Sequence, residues 1–145
     1  NDLFLTKTGG MFVTSILGEY NLKTDELRWV NGGHQPAIIR SINGNYEQFE
    51  SNSPPLGVIL QQDKSVYKTH IVKLDNKRFF GFTDGLSESL NSAGREIGID
   101  GSIKIIEDNF NTKIGKQLSD ISNMVVKTAG KNSLNDDLTL ICIGK

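Results

Sequence analysis

The hydrophobic period of this chain changes at Gly85. Before it, short segments alternate apolar and polar residues, the pattern of half-buried strands; after it, apolar residues recur every three or four positions, the pattern of amphipathic helices. MFVTSILGEY sets Phe12, Thr14 and Ile16 against Val13, Ser15 and Leu17, the polar LKTDEL supplies a turn, and LRWVNGG resumes an extended segment, which predicts a hairpin. A second hairpin is predicted where PAIIRSI and YEQFE flank Asn43-Gly44-Asn45, because Asn-Gly adopts the positive φ angles of tight turns. Pro54-Pro55 ends this meander, SVYKTHIVKL alternates again, and RFFGFT is apolar enough to be a central strand. Beyond Gly85, Ile103, Ile106 and Phe110 predict one helix, and Ile114, Leu118, Ile121 and Val125 a longer one that stops at Gly130. Those apolar faces must cover a sheet. The closing LTLICIGK is short and β-branched, and its unbroken apolar run predicts a central strand with both faces covered.

Composition excludes several classes. A chain of 145 residues, 37% hydrophobic and 23% charged, is the size of one domain spanning 1–145 with a real core, and no repeat, low-complexity tract or linker divides it. The formal net charge of -1, with lysines and arginines scattered, lacks the basic stripe of a nucleic-acid surface. No apolar stretch approaches the roughly 20 residues that cross a bilayer, and no signal peptide opens the chain, so no membrane contact is expected of this segment and the expected compartment is the cytoplasm. The single cysteine, Cys142, lies inside LTLICIG and reads as a core group, not a nucleophile.

Two acidic stops raise the question of chemistry. FFGFTDGLSES runs an apolar strand into Asp84-Gly85, and NDDLTLICIG places Asp136-Asp137 before the last strand. If the last strand lies antiparallel beside strand 78–83, the end of one meets the beginning of the other, and these carboxylates arrive at one edge of the sheet. Ionised carboxylates held close raise one another's pKa unless a cation neutralises them. A hard divalent ion, Mg²⁺ or Mn²⁺, is the natural occupant, because it prefers oxygen ligands. Gly85 lets the backbone turn sharply beneath such a site. Taken singly, Asp-Gly after a strand is a turn and Asn-Asp-Asp before one is a solvated loop; it is their combination that carries weight.

With TDG, a Glu four residues after its Asp, and DDLT opening the final strand, the sequence resembles the PPM-type metal-dependent protein serine/threonine phosphatases, in the SpoIIE-type branch that regulates bacterial sigma factors. The blocks MFVTSILGEYN, WVNGGHQPAIIR, SPPLGV, FTDGLSES and NDDLTLICI occur in the family's order and span nearly the whole chain. The resemblance implies an α+β fold, an α-β-β-α sandwich of two mainly antiparallel sheets flanked by helices, with a binuclear Mn²⁺ or Mg²⁺ centre at one edge. It implies that Asp84 and Asp136 are metal ligands and catalytic, with Thr83, Gly85, Glu88 and Asp137 in support. The implied reaction is hydrolysis of phosphoserine or phosphothreonine by metal-activated water, without a covalent enzyme intermediate, on a phosphoprotein of the kind that regulates sigma factors. An upstream sensor domain is compatible with this reading.

The family also carries an earlier strand whose aspartate bridges both metals, and a glycine-rich segment before the first long helix; neither is present in these residues. The chain, which opens with NDLFL and no methionine, is therefore expected to be the C-terminal part of a truncated domain. The alternative is a catalytically incomplete, phosphatase-like module that binds a regulatory partner; a purely structural β sandwich leaves the acidic convergence unexplained. Other residues read as structural. His34 fixes a turn, His70 is a partly buried or edge histidine, Trp29 and Phe12 belong between the sheets, Glu88 caps a short helical turn, and Gly18 and Gly57 mark bulges or turns. The segment from Leu86 to Gly101, with few apolar anchors before Ile97, is expected to be the mobile part of the site's edge.

Overall fold

Seven strands and three helices follow from these patterns in a computed structural model that describes residues 11–59, 64–111, 113–129 and 136–145. β1 (Ser15–Asn21) and β2 (Glu26–Gly32) pair antiparallel in continuous register, from Ser15 opposite Gly32 to Asn21 opposite Glu26. β3 (Ala37–Ser41) and β4 (Tyr46–Phe49) form the second hairpin around Asn43-Gly44-Asn45. A single 3-10 turn at Lys64–Val66 leads to β5 (His70–Lys73), followed by β6 (Lys77–Phe82). After the one-turn helix α1 (Asp84–Ser87) come α2 (Gly98–Asp108) and α3 (Ile114–Ala129), and β7 (Leu140–Gly144) closes the chain.

The strands form two antiparallel sheets, β1-β2-β5 and β4-β3-β6-β7. Period-two alternation sends one face of each strand into a different cluster. Leu27, Trp29, Ala37, Ile39, Leu74 and Phe79 fill the space between the sheets. Ile38, Phe80 and Phe82 point the other way and meet Leu86, Ile103, Ile106, Ile121 and Val125, so α2 and α3 cover the outer face of the four-stranded sheet. Each such side chain, fully buried, stabilises the fold by roughly 1.5–3 kcal/mol relative to exposure; neither cluster is a minor one. These are the face-to-face sheets of the expected sandwich and one of its two helical layers, the one outside the four-stranded sheet.

Several expectations are corrected. β7 is an edge strand among the described residues: it pairs with β6 alone, and Ile141 is 52% exposed. Its run is apolar because Leu140 and Cys142 pack toward the helices while Ile143 packs between the sheets. Phe12 is 60% exposed, because residues 11–14 precede β1 and are tied to the sandwich by the Val13–Leu56 bridge, with no sheet face to direct an aromatic ring inward. Gly18 is no bulge; it pairs regularly with Trp29, and a Cβ there would come within 2.8 Å of the Trp29 Cβ. The Leu86–Gly101 segment is anchored from its start, with Leu86 fully buried, the buried Ser89 hydroxyl donating to Gly85 O (2.5 Å), and Leu90 bridged to Glu96. The predicted helix stop at Gly130, and Asn135 of NDDLT, lie outside the described residues.

Candidate metal centre

The β6–β7 pairing runs from Arg78 opposite Gly144 to Phe82 opposite Leu140, so the residues that follow β6 meet those that precede β7. Thr83 joins the two segments. Its N–H donates to Thr139 O (3.1 Å), its hydroxyl donates to Asp137 O (3.0 Å), and the same hydroxyl accepts from the Thr139 N–H (2.9 Å). Gly85 packs so tightly that a Cβ would stand 2.5 Å from Asp137 O and 3.1 Å from Leu138 N. Any larger residue forces the two loops apart. Asp84, between Thr83 and Gly85, thus lies at the same edge as Asp136 and Asp137.

All three carboxylates are exposed, and none forms an ion pair among the described residues. Asp136 Oδ1 accepts the Asp137 N–H (2.7 Å), which fixes that side chain against its own backbone. Glu88 is exposed at the C-terminal end of α1, where its N–H donates to Asp84 O (2.7 Å). Among the described residues no three His, Cys, Asp or Glu side chains gather as a metal-binding group. The two sequence-predicted ligands nonetheless fit part of a hard-cation shell: both offer only oxygen, both are open to solvent, and each adjoins a residue, Thr83 or Asp137, of the hydrogen-bonded junction between β6 and β7.

Cys142 is half-buried against the helix-side cluster, and burial pushes its thiol up to about 11, partly opposed by the Arg78 guanidinium. Such a group stays a neutral thiol at pH 7 and is a poor nucleophile. His70 is half-buried on β5, its ring stacked on Trp29 with centroids 4.9 Å apart.

His34 does fix a turn, and the residues that hold it were not singled out from the sequence. The fully buried Asn31 accepts the His34 N–H on Oδ1 (2.9 Å) and donates from Nδ2 to Gln35 O (2.9 Å), while Thr14 Oγ1 lies 3.1 Å from His34 Nδ1. The signal was present: an Asn three residues before His34, in a Gly-Gly turn, is a side chain suited to bonding nearby backbone. Thr139 was passed over in the same way, as the unremarked Thr of DDLT.

The family described as Stage II sporulation protein E (SpoIIE) matches residues 1–145. The phosphoserine phosphatase RsbU of Bacillus subtilis (strain 168) is 25% identical over 134 residues, which are 92% of this chain and 39% of RsbU. The SiaA-PP2C domain of Pseudomonas aeruginosa superposes with a TM-score of 0.68 at 15% identity, over 83% of this chain and 46% of that one. The phosphatase domain of SpoIIE from Bacillus subtilis, presoaked with manganese, gives 0.63 at 15% identity, over 90% of this chain and 55% of that one. The chain therefore spans about half the length of these solved domains and less of RsbU. From the match along all 145 residues, the chain belongs to the SpoIIE family, and the superpositions show that it shares the fold of those solved domains.

Proposed function

We propose that residues 1–145 form the C-terminal part of a single PPM-type phosphatase domain that hydrolyses phosphoserine or phosphothreonine in a regulatory phosphoprotein, of the kind that controls sigma factors, in the cytoplasm. The observation that carries this reading is the Thr83 junction, which sets Asp84 beside the Asp136-Asp137 loop with carboxylates left open to solvent. Asp84 and Asp136 would hold Mn²⁺ or Mg²⁺, the two ions of the family's centre being completed by donors outside this segment. A cation there supplies, when bound, a water acidified toward neutrality and a screen for the phosphoryl oxygens.

The chain's own residues do the rest. Thr83 keeps the two acidic loops in register, Gly85 lets them touch, and Asp137 contributes the carbonyl that Thr83 grips. Glu88 closes the first turn after Asp84 through its backbone N–H. With Cys142 held as a neutral thiol, the chain offers no cysteine nucleophile, which supports direct attack by water. Supporting comparisons are the RsbU relative, described as a phosphoserine phosphatase, and the manganese-presoaked SpoIIE domain.

The test is phosphate release from a phosphoserine peptide by the complete domain, with manganese titrated by calorimetry. Release that requires Mn²⁺ and disappears in Asp84→Asn and Asp136→Asn is expected. Manganese-independent release, or none at all, overturns the reading. A second reading, a catalytically incomplete partner-binding module, draws on the observation that no group of three His, Cys, Asp or Glu side chains gathers among the described residues. It predicts partner binding by the complete domain that is indifferent to manganese and to Asp84→Asn.

A further inference from the structure

The chain has two histidines, and they are held in opposite ways. His70 has its Nε2 buried without a hydrogen-bond partner, inside an aromatic group with Trp29 and Phe49. His34 is half-buried, and its backbone and one ring nitrogen are held by named partners. The Asn31 carboxamide grips the backbone on both sides of it. Gly33 adopts φ +69°, and a Cβ there would stand 2.3 Å from Pro55 Cγ. The Gly33 N–H donates to Ser51 Oγ (2.7 Å), and that hydroxyl lies 3.0 Å from Asn31 O. Thr14 Oγ1 engages Nδ1 at 3.1 Å, leaving Nε2 as the ring's open nitrogen.

What His34 faces gives this anchoring a use. His34 lines a cavity of about 290 Å³ whose wall is mostly apolar, with Trp29 and Phe79 among its residues, and which reaches Thr83 and Thr139, the residues that join the two acidic loops. The turn after β2, the end of β6 and the start of β7 therefore meet at one end of the sandwich. Carboxylates at this edge repel a phosphoester, and an N–H donor beside them adds attraction.

We propose that His34 is a substrate-binding residue, its Nε2–H donating a hydrogen bond to a phosphoryl oxygen of the phosphoester held at the Asp84 edge. This rests on the phosphatase reading above. With the Thr14 hydroxyl as donor to Nδ1, 3.1 Å away, the ring proton sits on Nε2, where the substrate needs it; the other tautomer reverses that bond. The role consumes no proton, so it acts on binding and not on the bond-breaking step.

The experiment compares wild type, His34→Gln, Thr14→Val and His70→Gln in the complete domain with saturating Mn²⁺. Three quantities are measured: kcat and KM on a phosphoserine peptide, the Kd of orthophosphate by calorimetry, and the Kd of Mn²⁺. His34→Gln is expected to raise both KM and the orthophosphate Kd about tenfold, the worth of one hydrogen bond to a charged group. Its kcat should stay within threefold and its Mn²⁺ affinity unchanged. Thr14→Val, which keeps the ring but frees it, should give a smaller rise in the same two constants, and His70→Gln none. An active wild type whose KM and orthophosphate Kd are unmoved by both His34→Gln and Thr14→Val overturns the His34 role alone. Loss of Mn²⁺ affinity in His34→Gln overturns it in favour of a metal ligand. A wild type that releases no phosphate overturns the phosphatase reading, and the His34 role falls with it.

Discussion

β6 carries charge at both ends, and the fold treats the two ends differently. At its beginning Arg78 is 2% exposed; its Nη1 donates to Gln117 Oε1 (2.9 Å) and to Asn111 O, its Nε donates to Lys145 O (3.3 Å), and its guanidinium lies 5.1 Å from the Phe110 centroid. Its cross-strand partner Arg40 stacks closer on the same ring, at 3.8 Å, and burial lowers that guanidinium's pKa, with Glu107 opposing and Arg78 reinforcing the shift. At the other end Asp84 is exposed and unpaired among the described residues, while the backbone around it is closely bonded. Charge that the fold satisfies internally holds the molecule together. Charge left exposed on hydrogen-bonded backbone is available to a ligand, because no group among the described residues already neutralises it.

The sharpest way to break this contrast is to remove the satisfied charge. Arg78→Ala leaves the Gln117 side-chain oxygen and the Asn111 carbonyl without this donor and uncovers part of Phe110, so a loss of about 1–3 kcal/mol for each buried acceptor left unpaired is expected in urea unfolding. A loss below about 1 kcal/mol, the range of exposed ion pairs, would mean that the two ends do not differ as described. Next in size is Gly85→Ala. Its Cβ would meet Asp137 O at 2.5 Å, and backbone must move to relieve it. Overpacking of this kind costs about 1–3 kcal/mol, and here it should also weaken manganese binding by the complete domain, because it separates Asp84 from the Asp136 loop. Unchanged manganese affinity would show that the close approach is not what assembles the site.

The two ends also differ in how well the residues announce them. Asp84 and Asp136 could be placed together from the chain alone, since one assumption, antiparallel neighbours, is enough once TDG ends a strand and DDLT begins one. Arg78 could not. In DNKRFFGF it reads as the edge of a polar turn, and its partners Asn111, Gln117 and Lys145 lie 33, 39 and 67 residues away. The hairpins and the change of period at Gly85 were readable because they are local. The edge position of β7 and the exposure of Phe12 were not, because they depend on which strands and faces lie alongside, and nothing in LTLICIG or MFVT encodes its neighbours. At His34 the turn was visible, but the Asn31 clamp and the shared cavity with Thr83 required the sheets to be assembled.

A smaller effect is expected from the pair that ties the far end of the sandwich. The Tyr20 hydroxyl donates to Asp25 Oδ1, and Lys145 Nζ lies 3.5 Å from the same carboxylate. The hydrogen bond from Tyr20 holds the Asp25 carboxyl below its usual range, with Lys145 adding to the shift. The same hydrogen bond pushes Tyr20 up to about 12. A depressed acid contributes stability above its unfolded pKa, about 3.9 for Asp, and loses it as pH falls through the folded value. A raised Tyr contributes below its unfolded pKa of about 10 and loses it as pH rises through about 12. Tyr20→Phe should therefore lower Tm across the neutral range and converge with wild type toward both extremes. A Tm difference that is constant from acid to alkali would assign the loss to packing instead.

The smallest stability effect should come from the residue on which the proposed activity most depends. Asp84→Asn removes a charge that has no ion-pair partner among the described residues and leaves the Thr83 bonds in place, since those run through backbone and the Thr83 hydroxyl. Without divalent cations its stability should stay within about 0.5 kcal/mol of wild type, as for a surface substitution away from special features. Cations then separate the two proteins. A ligand that binds only the folded state stabilises it by about 2.7 kcal/mol at one hundred times its Kd, so the Tm of the complete domain should climb with manganese in wild type and stay flat in Asp84→Asn. The 145-residue chain alone, whose described residues gather no group of three His, Cys, Asp or Glu side chains, should climb much less. An equal manganese-dependent rise in wild type and Asp84→Asn would place the cation elsewhere, and an exposed aspartate on a rigid edge would then be a solvated turn and not a ligand.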